Sequence, residues 1–331
     1  MNHPDPTRRH AMAKAAGLLL AAGTIAASPL TTVAQTAPPL RIVVPYAAGG
    51  IGDLVARTLG EPVGQKLGQG VVVENKPGAA TVVGAQAVAG APADGHTLLL
   101  VAASFVITPS LLPKLPYDVA KDFTPLTLLA SNPHLLVVHP SVPANNLQEF
   151  IAWAKARKGE AAYASFGNAS SGHLGYELLK KKAGFEMIHV PYKGGAPAIA
   201  DLIAGQVSAM LTDLPQAIPQ VKAGKLRAIA LADETRAAAL PEVPTFAEAG
   251  LPGFESKSWY GLLLRSGTSP ERVARLHEAF AAALKDPAVK AKLEQAGLDI
   301  IGSSAAEFGL HLKREGDKYA EAVRVSGVKM E

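Results

Sequence analysis

The sequence predicts an α/β protein of two lobes, each a mostly parallel sheet flanked by helices, joined by two crossover strands. Three observations carry that expectation. Short, continuous apolar runs alternate with amphipathic helical spacings, the pattern of parallel strands covered on both faces. The alternation restarts near residue 135 after a first complete series. Two loops poor in bulky side chains, 46–53 (YAAGGIGD) and 165–173 (SFGNASSGH), each lie between a strand and a helix, where open α/β sheets place ligands.

Composition narrows the field. The chain has 331 residues, 48% hydrophobic and 18% charged, and is too apolar for a disordered protein. Mean hydropathy is +0.17, but Ala and Gly dominate rather than long aliphatic runs. Cysteine is absent, which excludes disulfide staples, thiolate metal sites and a cysteine nucleophile. The net charge is +4 with no long basic block, so nucleic acid is not an expected partner.

Residues 1–34 read as an export signal removed from the mature chain. Arg8 and Arg9 form its basic start, residues 11–27 its apolar stretch, broken by Lys14 and Gly17, and TVA at 32–34 a cleavage-type end. Thr7-Arg8-Arg9 resembles a twin-arginine signal, and ordinary Sec export stays open. The apolar run is too short and too rich in small residues for a membrane anchor. Losing Arg8, Arg9, Lys14 and Asp5 leaves a charge of +2. These features point to an exported, periplasmic protein.

In the first series, RIVVP at 41–45 is a strand ending at a Gly-rich turn, and Leu54, Val55, Leu59, Val63 and Leu67 give the next segment helical spacing. Strands follow at 71–74 and 97–102, with a small-residue helix at 81–89 between them. The second series has strands at 135–139, 161–165, 187–190, 207–212 and 226–231. Its helices begin at Asn146, which with Glu149 has capping-box spacing, and at residues 172, 196 and 214. Ser269-Pro270-Glu271 opens a later helix with an N-cap and Pro at N1, and Ser304 with Glu307 caps the last. Residues 123–130 and 259–264 are the expected crossover strands. The expected division is 35–134 plus 258–331 for lobe 1 and 135–257 for lobe 2, with the cleft between them.

The two loops carry the chemical signal. Their small residues let backbone N–H groups approach a ligand. Each feeds a helix N-terminus with unpaired donors and partial positive charge, which suits an anion. Each also has a plain structural reading. Asp53 balances a helix dipole, Ser170 or Ser171 caps a helix, His173 packs, and Asp213 ends a strand and caps the next helix. Lys180, Lys181 and Lys182 read as a solvated helix face.

Enzyme signatures are missing. The second loop lacks G-x-S-x-G spacing, and there is no G-x-G-x-x-G, no phosphate loop and no H-E-x-x-H. His134 and His139 lack metal-pair spacing, and no metal or cofactor is expected. A Ser–His–Asp set from distant segments, around Ser171, His173 and Asp213, stays open as the enzyme alternative.

The ordered landmarks VPYAAGGIGDLVAR (44–57), VENKPGAA (73–80), PADGHTLL (92–99), PYD (116–118) with KDF (121–123), SFGNASSGHLGYELL (165–179), HVPYKGGAPAIADLIAGQV (189–207), AGKLRAIAL (223–231), LPEVPTFAEAGLPGFE (240–255) and SWYGLL (258–263) span nearly the whole mature chain. Together they resemble the Bug-type (TctC-like) periplasmic substrate-binding proteins of tripartite tricarboxylate transporters. The resemblance implies a type II periplasmic binding fold, a monomeric receptor closing on a small organic carboxylate, and membrane transporter subunits as partners. It implies no catalysis; a ligand sensor for a membrane signalling partner is the alternative in the same mould.

By that resemblance the first loop contributes Tyr46, Ala47, Gly49, Gly50 and Asp53. The second contributes Ser165, Gly167, Asn168, Ser170, Ser171 and His173. Gly49, Gly50, Ser170 and Ser171 are its strongest implications for the carboxylate, held through amides and hydroxyls with water helping in the first lobe. Ser104, Gly195, Ala196 and Asp213 would face the variable part of the ligand, Asp213 as acceptor from an ammonium or amide. The sequence departs from the family pattern at Ala48 (often Pro), Gly52 (often Thr or Ser) and Ala169 (often Gly). Residues 101–107 are more apolar than usual, which implies a ligand with an apolar or aromatic portion.

Overall fold

The computed structural model describes residues 38–112 and 114–329. The expected export signal, residues 1–34, lies outside the described residues. No helix among the described residues is long and apolar enough to cross a membrane.

The first series folds as strand β1 (Leu40–Val44), helix α1 (Ile51–Leu67), β2 (Val71–Asn75), a 3-10 turn (Ala79–Thr81), α2 (Val82–Ala89), β3 (Thr97–Val101) and α3 (Ala103–Leu111). A long strand, β4 (Phe123–Val138), leads to α4 (Leu147–Ala156), β5 (Ala162–Ser165), α5 (Ser171–Ala183), β6 (Ile188–Pro191), α6 (Gly195–Ile203), β7 (Ala209–Asp213), α7 (Leu214–Lys222) and β8 (Arg227–Leu231). The chain returns through β9 (Lys257–Arg265) and ends in α8 (Pro270–Lys285), α9 (Pro287–Gln295), the short β10 (Asp299–Ile300) and α10 (Ala305–Ser326).

The strands follow the order β2-β1-β3-β9-β4-β7-β5-β6, with β8 and β10 pairing off β4. The triplets β2-β1-β3 and β7-β5-β6 are parallel, as the continuous apolar runs imply. β4 and β9 run antiparallel to their neighbours, so the sheet is mixed at its centre. β4 joins the halves. Residues 123–133 pair with β9, and residues 134–138 pair with β7 and β8. The sequence reads β4 as two pieces; the structure runs them together because His134 N–H donates to the Ser256 carbonyl at 3.0 Å, carrying the pairing past Pro133.

Each half has its own apolar layers. In the first, Val55, Leu59 and Val63 of α1 pack with Leu98, Leu262 and Phe280 on one face of the sheet. On the other face Phe105, Trp259, Phe308 and Tyr319 form a second layer. In the second half, Phe150, Tyr163, Tyr176 and Phe246 fill one face, and Leu135, Ile199, Leu202 and Met210 the other. A fully buried side chain of this size contributes about 1.5–3 kcal/mol. The helix starts read from the sequence are present: Asn146, Ser269 and Ser304 each accept a hydrogen bond from the residue three on, and Ser304 with Glu307 closes a full capping box.

α3 has no clear period in the sequence. It is buried nearly all round, with Phe105, Val106 and Ile107 in the core, so the amphipathic signal is absent. This corrects the reading of residues 101–107. Val101, Phe105, Val106 and Ile107 are apolar because they pack inside, not because they face a ligand.

Gly261 in β9 fixes how α10 sits. A Cβ there would run into the Phe308 ring. Gly261→Ala is therefore expected to overpack this layer and lower stability by about 1–3 kcal/mol, measured as a lower urea midpoint with unchanged m-value.

Candidate functional site

The starts of α1, α3, α6 and α7, with the loop before α5, surround one cavity of about 60 Å³. Of the helices that begin elsewhere, α4, α8, α9 and α10 carry side-chain N-caps and α2 does not, while α5, whose start borders the cavity, is capped by Ser170. α1, α3, α6 and α7 begin at Gly50, Ala102, Gly194 and Asp213, and none of these residues accepts a hydrogen bond from the first amides through its side chain. Gly50, Ala102, Gly194 and Asp213 all border the cavity. First-turn N–H groups have no intrahelical acceptor, so these starts leave donors and partial positive charge around one small space.

The first loop is braced by Asp53. Its carboxylate accepts from Gly49 N–H, Arg57 Nε and the Asn75 amide, each at 3.0 Å, and the same amide nitrogen donates to the Tyr46 carbonyl at 3.1 Å. Burial opposes ionisation of Asp53, but the Arg57, Gly49 and Asn75 hydrogen bonds outweigh it and hold the carboxyl below its ordinary range. A depressed folded pKa stabilises the fold above the unfolded pKa of about 3.9, and that increment is lost as pH falls through the folded value. Asp53→Asn should therefore flatten the acid limb of stability. Urea midpoints at pH 7 and pH 3 should differ less in the variant than in the wild type.

The second loop is tied to the start of α6. Tyr192 N–H donates to the Ser165 carbonyl at 3.2 Å and Gly194 N–H to the Phe166 carbonyl at 3.0 Å. Gly167 has φ +128, and a Cβ there would meet the Tyr192 carbonyl oxygen at 2.8 Å, so this approach requires glycine. Ala169 holds φ +59 with a fully buried side chain, a left-handed position that favours glycine. Ser170 caps α5 by accepting from His173 N–H at 3.2 Å.

The floor is a buried polar network from both halves. Asp213 accepts from the Asn132 amide at 2.9 Å and from Tyr260 OH at 3.1 Å. His134 Nε2 lies 2.9 Å from Ser258 Oγ and its Nδ1 2.7 Å from Ser256 Oγ. Ser171 Oγ is 3.2 Å from Ser258 Oγ. Burial works against charge on Asp213, yet its hydrogen bonds, with His134 foremost, keep its carboxyl below the ordinary range. On the opposite wall Tyr46 OH and Ser104 Oγ are 2.6 Å apart, and burial raises the Tyr46 phenol above its ordinary range.

The network does not form a nucleophilic triad. Ser258 and Asp213 approach the same imidazole nitrogen, His134 Nε2, at 2.9 and 3.5 Å, whereas a relay needs the acid on the opposite nitrogen from the serine. His173 is not part of the network either. It stacks on His189 with centroids 3.8 Å apart, and burial lowers the two imidazoles to about 4 and about 3.

The structure thus brings together Tyr46, Ala47, Gly50, Ser104, Ser170, Ser171, Gly195, Ala196 and Asp213 around the cavity. Gly167 and Asn168 border an adjoining space. Gly49, Asp53, Ser165 and His173 border neither. Gly49 N–H is taken by Asp53, Ser165 Oγ is 2.7 Å from His189 Nε2, and His173 faces its histidine partner. Asp213 stands at the start of α7 but makes no side-chain cap. Sequence reasoning passed over Phe166, Lys193, Gln216, Ser258 and Tyr260, which also line the cavity. Phe166, Lys193, Ser258 and Tyr260 lie inside the landmarks SFGNASSGHLGYELL, HVPYKGGAPAIADLIAGQV and SWYGLL, whereas Gln216 lies outside every landmark.

Comparison with known proteins settles the family. The model for the tripartite tricarboxylate transporter family receptor (TctC) matches residues 55–323. The chain belongs to the TctC receptor family. Protein BugT of Bordetella pertussis is 35% identical to this TctC protein over 317 residues, covering 95% of this chain and 97% of BugT. The structure of periplasmic binding protein BugD aligns with a TM-score of 0.84 at 33% identity, covering 89% of this chain and 99% of that one. An R. palustris protein solved with adipate aligns with a TM-score of 0.85 at 33% identity, covering 88% and 98%. TctC proteins of this kind are periplasmic solute-binding proteins, not enzymes.

Proposed function

We propose that this receptor captures a small organic carboxylate between two lobes in the periplasm and delivers it to the membrane subunits of a tripartite tricarboxylate transporter. The lobes are 35–134 plus 258–331 and 135–257, with β4 and β9 as the crossings. The observation that carries the reading is the convergence of uncapped helix starts from both halves, α1 and α3 against α6 and α7, on one cavity. Each helix start contributes about 0.3–1 kcal/mol to holding an anion at an exposed site, and up to about 2 kcal/mol when partly buried. Their sum replaces the arginine that neither loop contains.

Asp213 fixes the ligand's orientation. A carboxylate placed against it would meet a like charge, so the anionic end lies toward the amides and the floor takes a hydrogen-bond donor. Closure follows from contacts that a ligand completes with both lobes at once. The R. palustris relative, solved with adipate, supports the ligand class. Export through residues 1–34 supports the compartment.

The test is calorimetric titration with a panel of small acids and their matched amides. Acids should bind and raise the Tm, and amides, which lack the charge, should not. Equal binding of acids and amides would overturn the proposal.

A further inference from the structure

Residues 213–216 (DLPQ) have the spacing of a capping box at the start of α7, with Asp213 as N-cap and Gln216 three residues on. The box does not form. The Asp213 carboxylate makes no cap and accepts from Asn132 and Tyr260 instead. The Gln216 side-chain carbonyl oxygen, Oε1, is buried and has no hydrogen-bond partner among the described residues. Buried acceptors are nearly always paired, and leaving one unpaired is costly, so this oxygen calls for a partner that the fold does not supply.

Gln216 stands in the wall of the cavity, beside Gly195 of α6. A Cβ at position 195 would run into both the oxygen and the nitrogen of the Gln216 carboxamide. The missing side chain at 195 is therefore what makes room for the carboxamide at the start of α6. That start is one of the four whose first-turn amides lack a side-chain cap, so the carboxamide and those donors share one corner of the cavity. Gly195 belongs to a landmark of the family pattern and Gln216 does not, so the pairing of the two belongs to this chain's own sequence.

We propose that Gln216 is a specificity-determining residue, whose side-chain carbonyl accepts a hydrogen bond from a donor that the ligand carries close to its carboxylate. The proposal rests on the carboxylate reading of the cavity and specifies which acids are preferred: those with an O–H or N–H beside the carboxylate, over the same skeletons without one. A plain acid that fills the cavity leaves the Gln216 oxygen buried and unpaired, and an oxo acid sets a second carbonyl oxygen against it. Sites built around a ligand's donor reject analogues that lack it for this reason.

The test is a calorimetric titration of four acids on one three-carbon skeleton, propionate, pyruvate, lactate and alanine, with the wild type, Gln216→Met and Gln216→Glu. In the wild type, lactate or alanine should bind at least about tenfold more tightly than propionate and pyruvate, and the tighter of the two tells whether the donor is a hydroxyl or an ammonium. Gln216→Met keeps the length of the side chain and removes the acceptor. It should bring the preferred acid to within about threefold of propionate and leave propionate within about threefold of its wild-type affinity. Gln216→Glu keeps an acceptor and should preserve the preference. Propionate or pyruvate binding as tightly as both donor-bearing acids in the wild type, a preference that survives in Gln216→Met, or its loss in both variants alike would overturn the proposal while leaving the carboxylate reading intact. Absence of binding by all four acids would overturn both.

Discussion

Asp213→Ala is expected to lower folding stability by about 3–5 kcal/mol, the largest effect of any single change considered for this protein. The carboxylate is buried, with 3% of its residue surface exposed, and it accepts from Asn132 of β4 and Tyr260 of β9. Removing it leaves both donors without this acceptor and His134 without its acidic neighbour at 3.5 Å. Asp213→Asn keeps the shape and one acceptor and should cost about half as much. Urea unfolding followed by circular dichroism reads both. A loss below about 1 kcal/mol for Asp213→Ala would show that the network contributes shape but little energy. Asp213 joins β7 to β4 and β9, so the same change should also blunt the Tm increase on ligand binding.

Ile51→Pro is expected to weaken carboxylate binding by about tenfold or more. Ile51 is the first residue of α1 and lines the cavity, and its N–H has no intrahelical acceptor. Proline at a first helical position removes that single donor and leaves the helix able to form. Gly50 before it is already extended, at φ −80 and ψ 172, as proline requires of its predecessor. A hydrogen bond to a charged group is worth about 1.5–3 kcal/mol, hence the size of the expected loss. Ile51→Val, which keeps the amide and trims the side chain, separates the donor from the packing of Ile51 in the α1 layer. It should bind almost as the wild type does. Equal weakening by both variants would assign the effect to packing and not to the amide.

The sequence shows much of this fold because its signals are local. Strands β1 and β3 are apolar apart from Arg41 and Thr97, and the caps at Asn146, Ser269 and Ser304 depend on residues three apart. The features it hides are those made by distant partners. β4 reads as two strands because Asn132-Pro133 interrupts the apolar run, and the partner that carries it through, Ser256, is 122 positions away from His134. α3 escapes notice because a helix buried on all sides loses its period.

The site is legible to the same extent. Both loops meet at one cavity, and Gly50, Ser170 and Ser171 stand on it. Gly49 and Asp53 look equally suitable in the sequence, but they satisfy each other, and that pairing of a loop amide with a side chain four residues on is a matter of geometry. The polar floor depends on residues 132, 134, 213, 258 and 260, which nothing in their local patterns links.

The central claim is that amides from both halves turn toward one anion. The most direct measurement is the amide proton shift on titration with adipate in ¹⁵N-labelled protein. Downfield movement of the first-turn amides of α1 and α3, together with those of α6 and α7, is the predicted result. Shifts confined to one half, or saturable binding that leaves those amides unmoved, would contradict it.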